Sequence, residues 1–380
     1  MKKLTRCLLA AVLALSLTGC ASAGTPQQET IPENTMTGET LMKELKIGWN
    51  LGNTFDAPEG ETTWGNPVTT KELLETVKEL GFGTIRIPIS WGKHVSAAPE
   101  YTIDETFLNR VGQVVQDALD AGLYVIINSH HDNEIYLPTP DNRDRGVEYL
   151  TAVWTQVGTY FRDADYRLIF QTMNEPRVTG TSYEWNIDTK NEDCMAALEV
   201  VNDLNQAAVD AIRATGGRNA QRFVMVSPYA ANNVAATTST FRLPQDSTEG
   251  KLIVSIHAYT PYNLCLNIQS PENTFGMNHL TEIRGFLKNI DYRFGRKGIP
   301  VIIDEMGIID KDNPEARYAW AKAYISAAWE YGIPCVWWDN GQLNGTGENF
   351  GLIDRRKLEV YPDSQTTWQG LMEGLTAQEG

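Results

Sequence analysis

Two glutamates of this sequence each follow a short apolar segment, at positions where their carboxyl groups could take part in catalysis. Glu175 follows the segment 167–173, and Glu305 follows the segment 300–303. When two carboxyl groups share one site, their surroundings can separate the two pKa values, so that one group is protonated while the other is ionised. The pair could therefore supply an acid and a nucleophile to a single reaction.

The chemistry open to such a pair depends on the distance between the two groups. At about 5 Å, one carboxylate can attack a sugar carbon while the other carboxyl protonates the leaving oxygen, as in a retaining glycosidase. Arg86 would keep one glutamate ionised by its fixed charge, and Tyr259 would do so by hydrogen bonding. No Ser–His–Asp arrangement and no phosphate-binding loop stands out, so the residue types favour glycoside hydrolysis.

Other polar side chains also stand at the ends of apolar segments. A structural protein has no reason to collect them there, because a buried polar group without a partner costs free energy. In an α/β barrel these ends meet at one face, where the active site lies. The groups expected there are Arg86, His130, His131, Asp132, Asn174, Glu175, His257, Tyr259, Asp304, Glu305, Trp338 and Asp339.

Eight short apolar segments alternate with longer helical patterns along the chain. Most of them are fully apolar, as parallel strands covered by helices should be. This repeated alternation predicts an α/β fold, the (β/α)8 TIM barrel. The alternative is a doubly wound open sheet. That fold would be expected to have a glycine-rich phosphate-binding turn after an early strand, and no such turn occurs there. The predicted strands are 46–49, 84–89, 123–128, 167–173, 222–227, 252–256, 300–303 and 334–338.

The N-terminal residues have the pattern of an export signal rather than of a folded domain. Basic residues at positions 2–6 precede the apolar run 7–17, which is too short to remain as a membrane-spanning helix. The run closes on the segment 17–20, which resembles the lipobox of bacterial lipoproteins. That resemblance makes Cys20 the lipid anchor and places the chain at the extracellular face of the membrane; a plain cleaved signal for secretion is the alternative.

These features divide the chain into three parts. Residues 1–19 are the predicted signal peptide, and residues 20–37 form a flexible tether that lacks apolar surface to pack. Residues 38–380 form the predicted catalytic barrel, whose length is usual for this fold. We expect a monomer that touches the membrane only through its lipid.

The net charge limits the partners of this chain. It is −16 at pH 7, and such a surface repels phosphate backbones. Nucleic acid is therefore not an expected partner, whereas a neutral substrate is compatible with the charge.

Neither histidine nor cysteine spacing predicts a metal site. The adjacent His130 and His131 could bind a metal, but no third ligand follows at a known spacing, which favours hydrogen bonding within the site. The sequence allows a disulfide between Cys194 and Cys265 without supporting it, and it predicts a buried thiol for Cys335. We expect no metal and no cofactor.

The segments around these groups resemble glycoside hydrolase family 5, most closely its subfamily 4, over nearly all residues after the tether. The resemblance implies a retaining, endo-acting hydrolase of β-1,4-linked plant glucans that works without a cofactor. The matching segments are 48–54, 64–67, 85–88, 127–132, 173–177, 255–262, 337–341 and 348–351.

The resemblance also implies a role for each residue at the reacting centre. Glu175 corresponds to the acid/base, and Glu305 corresponds to the nucleophile. Arg86 and Tyr259 position the nucleophile, and Asn174 binds the sugar hydroxyl beside the reacting carbon.

A wider set of residues is expected to bind the sugar chain. Trp338 would form the floor under the reacting sugar, because an indole face can stack on a sugar ring. For Trp64 the same role and simple packing stay open. The remaining predicted substrate-binding residues are His130, His131, His257 and Asn53.

One residue departs from the family pattern. Asp304 precedes Glu305 at a position that a small residue, commonly glycine, often occupies in this family. Because strand side chains alternate between two faces, we expect Asp304 to point away from Glu305. An inward Asp304 would raise the pKa of Glu305.

Several alternatives for substrate and function stay open. Cellulose, mixed-linkage β-glucan and xyloglucan are the expected substrates, and the same mechanism on xylan or mannan is the alternative. A cell-surface sugar-binding protein without turnover could use the same fold, because fold alone does not settle function. Two positioned carboxyl groups favour the enzyme.

Overall fold

The computed structural model describes residues 33–343 and 347–376. Eight parallel strands close into a barrel in sequential order, and every predicted strand overlaps an observed one. The predicted (β/α)8 barrel is therefore confirmed. The barrel strands are β1 (Ile47–Asn50), β2 (Thr84–Ile87), β3 (Tyr124–Asn128), β4 (Leu168–Gln171), β5 (Val224–Val226), β6 (Leu252–His257), β7 (Val301–Met306) and β8 (Cys335–Trp337). A small hairpin of β9 (Ile353–Asp354) and β10 (Glu359–Val360) follows.

The helices surround the barrel and bury their apolar faces against it. They are α1 (Gly38–Leu45), α2 (Lys71–Glu79), α3 (Glu105–Asp120), α4 (Arg143–Tyr160), α5 (Glu192–Ala214), α6 (Asn233–Thr237), α7 (Tyr262–Cys265), α8 (Met277–Arg293), α9 (Pro314–Trp329) and α10 (Gln365–Thr376). Their starts carry expected caps; the Asp104 side chain accepts from the Phe107 backbone N–H at α3, for example. No helix among the described residues is long and apolar enough to cross a membrane.

The first helix closes the bottom of the barrel. Leu41, Met42 and Leu45 of α1 are buried, and they share one apolar cluster with inward side chains of the barrel strands. Those side chains include Ile126, Ile169, Met225, Ile253, Ile302 and Val336. The lower barrel is therefore an apolar core that supports whatever lies above it.

The barrel interior changes from apolar to polar toward the carboxyl ends of the strands. Side chains two residues apart share a face of a strand, so the residues two positions after the apolar layer also point inward. These include Asn128, Gln171, Ser227, Ser255 and Asp304, all without exposed surface. The sequence thus builds a polar layer directly above the apolar one.

Part of the predicted tether packs against the barrel. The Asn34 backbone N–H donates to Gln221 Oε1 at 2.7 Å, and Lys251 Nζ donates to the Met36 carbonyl at 2.7 Å. The packed chain thus includes residues ahead of the predicted boundary at 38, because their backbone groups find partners on the barrel. The predicted signal peptide, Cys20 and the tether up to residue 32 lie outside the described residues.

The three cysteines of the barrel are free and buried. Cys194 and Cys265 therefore do not form the disulfide that the sequence allowed. Burial raises the pKa of all three thiols, so they behave as small apolar side chains. The prediction of a buried Cys335 thiol is confirmed.

Candidate active site

Arg86 lies at the centre of the polar layer and has no exposed surface. Its Nη1 donates to Glu305 Oε1 at 2.6 Å and to Asn50 Oδ1 at 2.9 Å. Nη2 donates to Asn174 Oδ1 at 2.6 Å, and Nε donates to Gln171 Oε1 at 2.9 Å. Because the partners come from separate parts of the barrel, the guanidinium is fixed in orientation and holds Glu305 by a charge-assisted hydrogen bond.

The two glutamates meet at the mouth of the barrel. Glu175 lies beyond the end of β4, and Glu305 lies within β7. One carboxylate oxygen of each, together with a ring nitrogen of His257, lies within 4.8 Å of the others. Inverting glycosidases need about 6.5–9.5 Å between the two carboxyl groups, so the geometry fits the retaining arrangement.

Two donors hold Glu305. Besides Arg86, the Tyr259 hydroxyl donates to Oε2 at 3.2 Å. Burial and the charge of Glu305 raise the pKa of Tyr259 well above its usual range, so this hydroxyl keeps its proton. Burial, with the carboxylates of Glu175 and Asp304, also raises the pKa of Glu305, against the opposing charges of His257 and Arg86. The ionised form of Glu305 therefore depends on these two cations.

Glu175 shares a short hydrogen bond with His257. The distance from His257 Nδ1 to Glu175 Oε1 is 2.7 Å, and Arg177 Nη1 lies 3.4 Å from Oε2. Burial favours a higher pKa for Glu175, but the hydrogen bond and charge of His257, with Arg177, lower it. Burial alone would lower the pKa of His257, but Glu305, Asp304 and Glu175 raise it to about 10. The proton shared by this pair therefore rests on His257.

Asp304 points into the barrel, so the expectation that it points away from Glu305 is wrong. Its carboxylate accepts from Ser255 Oγ at 2.6 Å and from Gln171 Nε2 at 2.8 Å. Strand alternation places Asp304 inward together with Ile302. The register of β7 shifts after Ile303, and this irregularity brings Glu305 to the same site.

Two aromatic side chains of the predicted sugar-binding set stand parallel across the mouth. The rings of His130 and Trp338 are 6.0 Å apart between centroids with an angle of 1° between their planes. Burial lowers the pKa of His130 well below its usual range, so the ring is neutral, and Nδ1 pairs with Asn128 Nδ2 at 3.1 Å. Trp338 is largely buried, with 9% of its surface exposed.

Trp64 and His131 form a second, outer aromatic pair. Their ring centroids are 5.8 Å apart, and Trp64 is 37% exposed, so it is not a core residue. Asn53 lies in the loop after β1, where its backbone N–H donates to Asp56 and its carbonyl accepts from Asn66. These contacts involve the Asn53 backbone and hold the loop together.

Four further residues belong to the site although the sequence analysis gave them no role. Asn50 and Gln171 bind Arg86, Ser255 binds Asp304, and Arg177 contacts Glu175. A signal was present for three of them, because Asn50, Gln171 and Ser255 are polar residues within otherwise apolar strands. Strand alternation would have placed them inside the barrel.

Among the described residues, two groups of three have atoms close enough for a metal ion: Asp56, His130 and His131, and Glu175, His257 and Glu305. In the second group, the 2.7 Å hydrogen bond between Glu175 and His257 joins the two side chains directly. In the first, Asp56 accepts from the backbone N–H groups of residues 53 and 54. In both groups a carboxylate therefore already accepts hydrogen bonds, and the absence of a metal stays a prediction.

The sequence matches the family model described as cellulase (glycosyl hydrolase family 5) over residues 50–344. This match covers most of the barrel, including both glutamates. The chain belongs to glycosyl hydrolase family 5. It is therefore a glycoside hydrolase, as the carboxyl pair indicated.

Relatives in family 5 are similar over most of this chain. Endoglucanase A of Ruminococcus albus is 41% identical over 335 residues, which are 86% of this chain and 90% of the relative. Cellulase/esterase CelE of Acetivibrio thermocellus is 44% identical over 337 residues, and these make up 88% of this chain. The chain spans only 40% of the length of CelE.

Solved family 5 structures share both the fold and the sequence pattern. A GH5-4 broad specificity endoglucanase from Ruminococcus champanellensis with bound cellotriose has a TM-score of 0.84 and 41% identity. That comparison covers 89% of this chain and 98% of the other. A lichenase from Caldicellulosiruptor sp. F32 in complex with cellotetraose has a TM-score of 0.86 and 40% identity, covering 91% of this chain and 96% of the other.

Proposed function

We propose that this family 5 protein is a retaining endo-β-1,4-glucanase in which Glu305 is the nucleophile and Glu175 is the acid/base. The main support is the close pair of carboxylates, which lie within 4.8 Å of each other and have different partners. A carboxylate held by the fixed cation Arg86 is suited to attack, whereas a carboxylate that shares a proton with His257 is suited to donate one.

In the first step, a Glu305 oxygen forms a bond to the anomeric carbon of the sugar. The bond from that carbon to the leaving sugar oxygen breaks, and Glu175 gives this oxygen a proton. The proton reaches Glu175 along the 2.7 Å hydrogen bond from His257 Nδ1. The product of this step is a glycosyl ester on Glu305 and a free sugar hydroxyl.

In the second step, a water molecule attacks the anomeric carbon from the face that the leaving sugar vacated. Glu175 takes a proton from this water, and the bond to Glu305 breaks, which restores the carboxylate. Arg86 and Tyr259 stabilise the negative charge that returns to Glu305. Two displacements at the same carbon leave the product with the β configuration.

Neighbouring side chains hold the sugar for these steps. The Asn174 amide is oriented by its bond to Arg86, which leaves its N–H groups to donate to the hydroxyl beside the reacting carbon. Trp338 supports the reacting sugar, and Trp64 supports a sugar farther along the chain. The ring of His130 lies parallel to the Trp338 indole and helps to hold the indole in position.

The proposed substrates are cellulose-type oligosaccharides, mixed-linkage β-glucan and xyloglucan. Related family 5 structures contain cellotriose and cellotetraose, and one of these proteins is a lichenase. Xylan and mannan are the alternative substrates. The exposed Trp64 offers a surface for a further sugar, which suits attack within a long chain.

Product analysis on a substrate panel tests this proposal. We expect the protein to convert cellulose, mixed-linkage β-glucan and xyloglucan into a spread of oligosaccharides, and to act weakly on xylan and mannan. Glu305→Gln should abolish cleavage, whereas Glu330→Gln, at an exposed salt bridge with Arg284, should cleave like the unaltered protein. Binding of these glucans without any cleavage would instead identify a sugar-binding protein.

We also propose that the protein is a monomer attached to the extracellular face of the membrane by a lipid on Cys20. The support is the sequence at positions 17–20, which resembles a lipobox. A tether after residue 20 would keep the barrel clear of the membrane surface while it acts on polysaccharides.

A further inference from the structure

Asp304 adds a third carboxylate to the centre that contains Glu175 and Glu305. It has no exposed surface, and its Oδ2 lies 3.2 Å from Arg86 Nε and 3.4 Å from His257 Nε2. Ser255 and Gln171 donate further hydrogen bonds to it. The charges of His257 and Arg86 keep the pKa of Asp304 below its usual value in spite of burial, so the group is an anion.

His257 links Asp304 to the reaction. One ring nitrogen faces Asp304, while the other lies 2.7 Å from Glu175 and 3.5 Å from Glu305. A ring that donates from both nitrogens is the protonated form. The charge on Asp304 therefore helps to hold the proton that His257 shares with Glu175.

Charged and titratable side chains surround His257 and the carboxylates of Asp304, Glu175 and Glu305. The cations are Arg86 below the cluster and Arg177 beside Glu175. His130 and Tyr259 are neutral. Besides the three carboxylates already named, Glu348 from the loop after β8 faces the two glutamates, and burial with their charges raises its pKa. Asp304 is the carboxylate of this group that has no exposed surface and cannot reach a sugar.

We propose that Asp304 is a positioning residue that sets the pH range of catalysis, by holding His257 protonated and oriented toward Glu175. This inference rests on the roles proposed above for the two glutamates. The proposed role goes beyond those of the two glutamates, because it assigns a function to a third carboxylate that cannot reach the sugar.

The sign of the effect follows from electrostatics. A buried negative charge favours the protonated form of every neighbouring group, so its removal lowers the pKa values of its neighbours. The pair of His257 and Glu175 would then lose its proton at lower pH. The alkaline limb of the rate profile would therefore move to lower pH. Glu305 would also become ionised at lower pH, so the acid limb of the profile would move to lower pH as well.

The test compares the unaltered protein with Asp304→Asn, which removes the charge and keeps the shape. The profile of kcat/KM against pH on cellotetraose reports the groups of the free enzyme. We expect both limbs of the profile to move to lower pH by about one unit in Asp304→Asn. Asp144→Asn is the matched control, because it makes the same change of carboxylate to amide at a side chain that is 95% exposed, and its limbs should stay in place.

A second measurement does not depend on activity. NMR of the 15N-labelled histidine rings, with the His257 signal identified by its loss in His257→Asn, follows the charge of the ring directly. His257 should stay protonated to a higher pH in the unaltered protein than in Asp304→Asn. Asp304→Gly, which gives the small residue common in the family, should act in the same direction if the asparagine variant does not fold.

The outcomes separate this inference from the proposed function. A kcat that falls equally at all pH values, with both limbs and the His257 titration unchanged, would show that Asp304 is only structural and would overturn the inference. A protein that does not cleave cellotetraose would contradict the proposed function, and the NMR titration alone would then decide the role of Asp304.

Discussion

At the scale of single residues, the two glutamates are distinguished by their partners. Glu305 accepts hydrogen bonds from Arg86 and from the Tyr259 hydroxyl. Glu175 accepts from His257, whose proton can move along the hydrogen bond. This difference in partners supports the proposal that Glu305 is the nucleophile and Glu175 is the acid/base.

A chemical rescue experiment tests this assignment. In Glu175→Ala, a nitrophenyl glycoside should still form the covalent intermediate, because nitrophenolate leaves without protonation, and azide should convert the intermediate to a β-glycosyl azide. In Glu305→Ala, azide should attack at the vacant face and give the α-glycosyl azide. Proton NMR of the products distinguishes the two anomers.

The two variants are controls for each other in this experiment. The opposite pattern of anomers would mean that the roles of Glu175 and Glu305 are exchanged. Identical anomers from both variants would contradict a mechanism with one nucleophile and one acid/base.

At the scale of elements, the residues that stabilise the barrel and the residues of the candidate active site lie at opposite ends of it. Helix α1 and the apolar layer of the strands fill the bottom of the barrel, and the polar layer and the glutamates lie at the opposite end. Strand β7 departs from regular alternation, because its register shifts after Ile303. This shift lets two successive acidic residues, Asp304 and Glu305, both face the site.

Leu45→Ala tests this separation. Leu45 has no exposed surface at the end of α1, so its truncation should lower the free energy of unfolding by about 2–5 kcal/mol. Urea unfolding measures the change, and kcat/KM well below the unfolding transition should stay near that of the unaltered protein.

Glu39→Ala is the control on the same helix, because the Glu39 side chain is 80% exposed. It should change stability by less than about 0.5 kcal/mol. A large loss of kcat/KM in folded Leu45→Ala would mean that the bottom of the barrel helps to shape the active site.

At the scale of the whole molecule, charge and the N-terminal sequence bear on where the protein acts. A net charge of −16 disfavours anionic partners and suits a neutral polysaccharide. The proposed site of membrane attachment is the lipid at Cys20, which the sequence at positions 17–20 supports.

Cys20→Ala tests the anchor. The variant should appear in the medium, or stay uncleaved, whereas the unaltered protein is expected to fractionate with membranes. Cys335→Ala is the control, because Cys335 is buried in the barrel and cannot accept a lipid there. Unchanged membrane association of Cys20→Ala would contradict the lipid anchor.

Much of the fold and of the site could be predicted from the sequence. Fully apolar strands alternating with helices led to the barrel, and the carboxyl ends of those strands led to Glu175 and Glu305. Two adjacent threonines, Thr69 and Thr70, precede α2, and the structure shows that the capping hydroxyl is that of Thr70. Neighbouring threonines offer the same group, and the backbone path decides which one is used.

The sequence by itself determined the fold, the chemical groups and the end of the barrel at which they meet, because these follow from periodicity and residue type. Only the tertiary structure decided the direction of Asp304, the hydrogen bond between His257 and Glu175, and the separation of the two carboxylates. Asp304 follows the alternation of β7, and the register shift after Ile303 lets Glu305 face the same site, which regular alternation does not allow. The protonation of groups such as His257 and Glu175 depends on contacts between residues that are far apart in the sequence, which the local sequence pattern does not show.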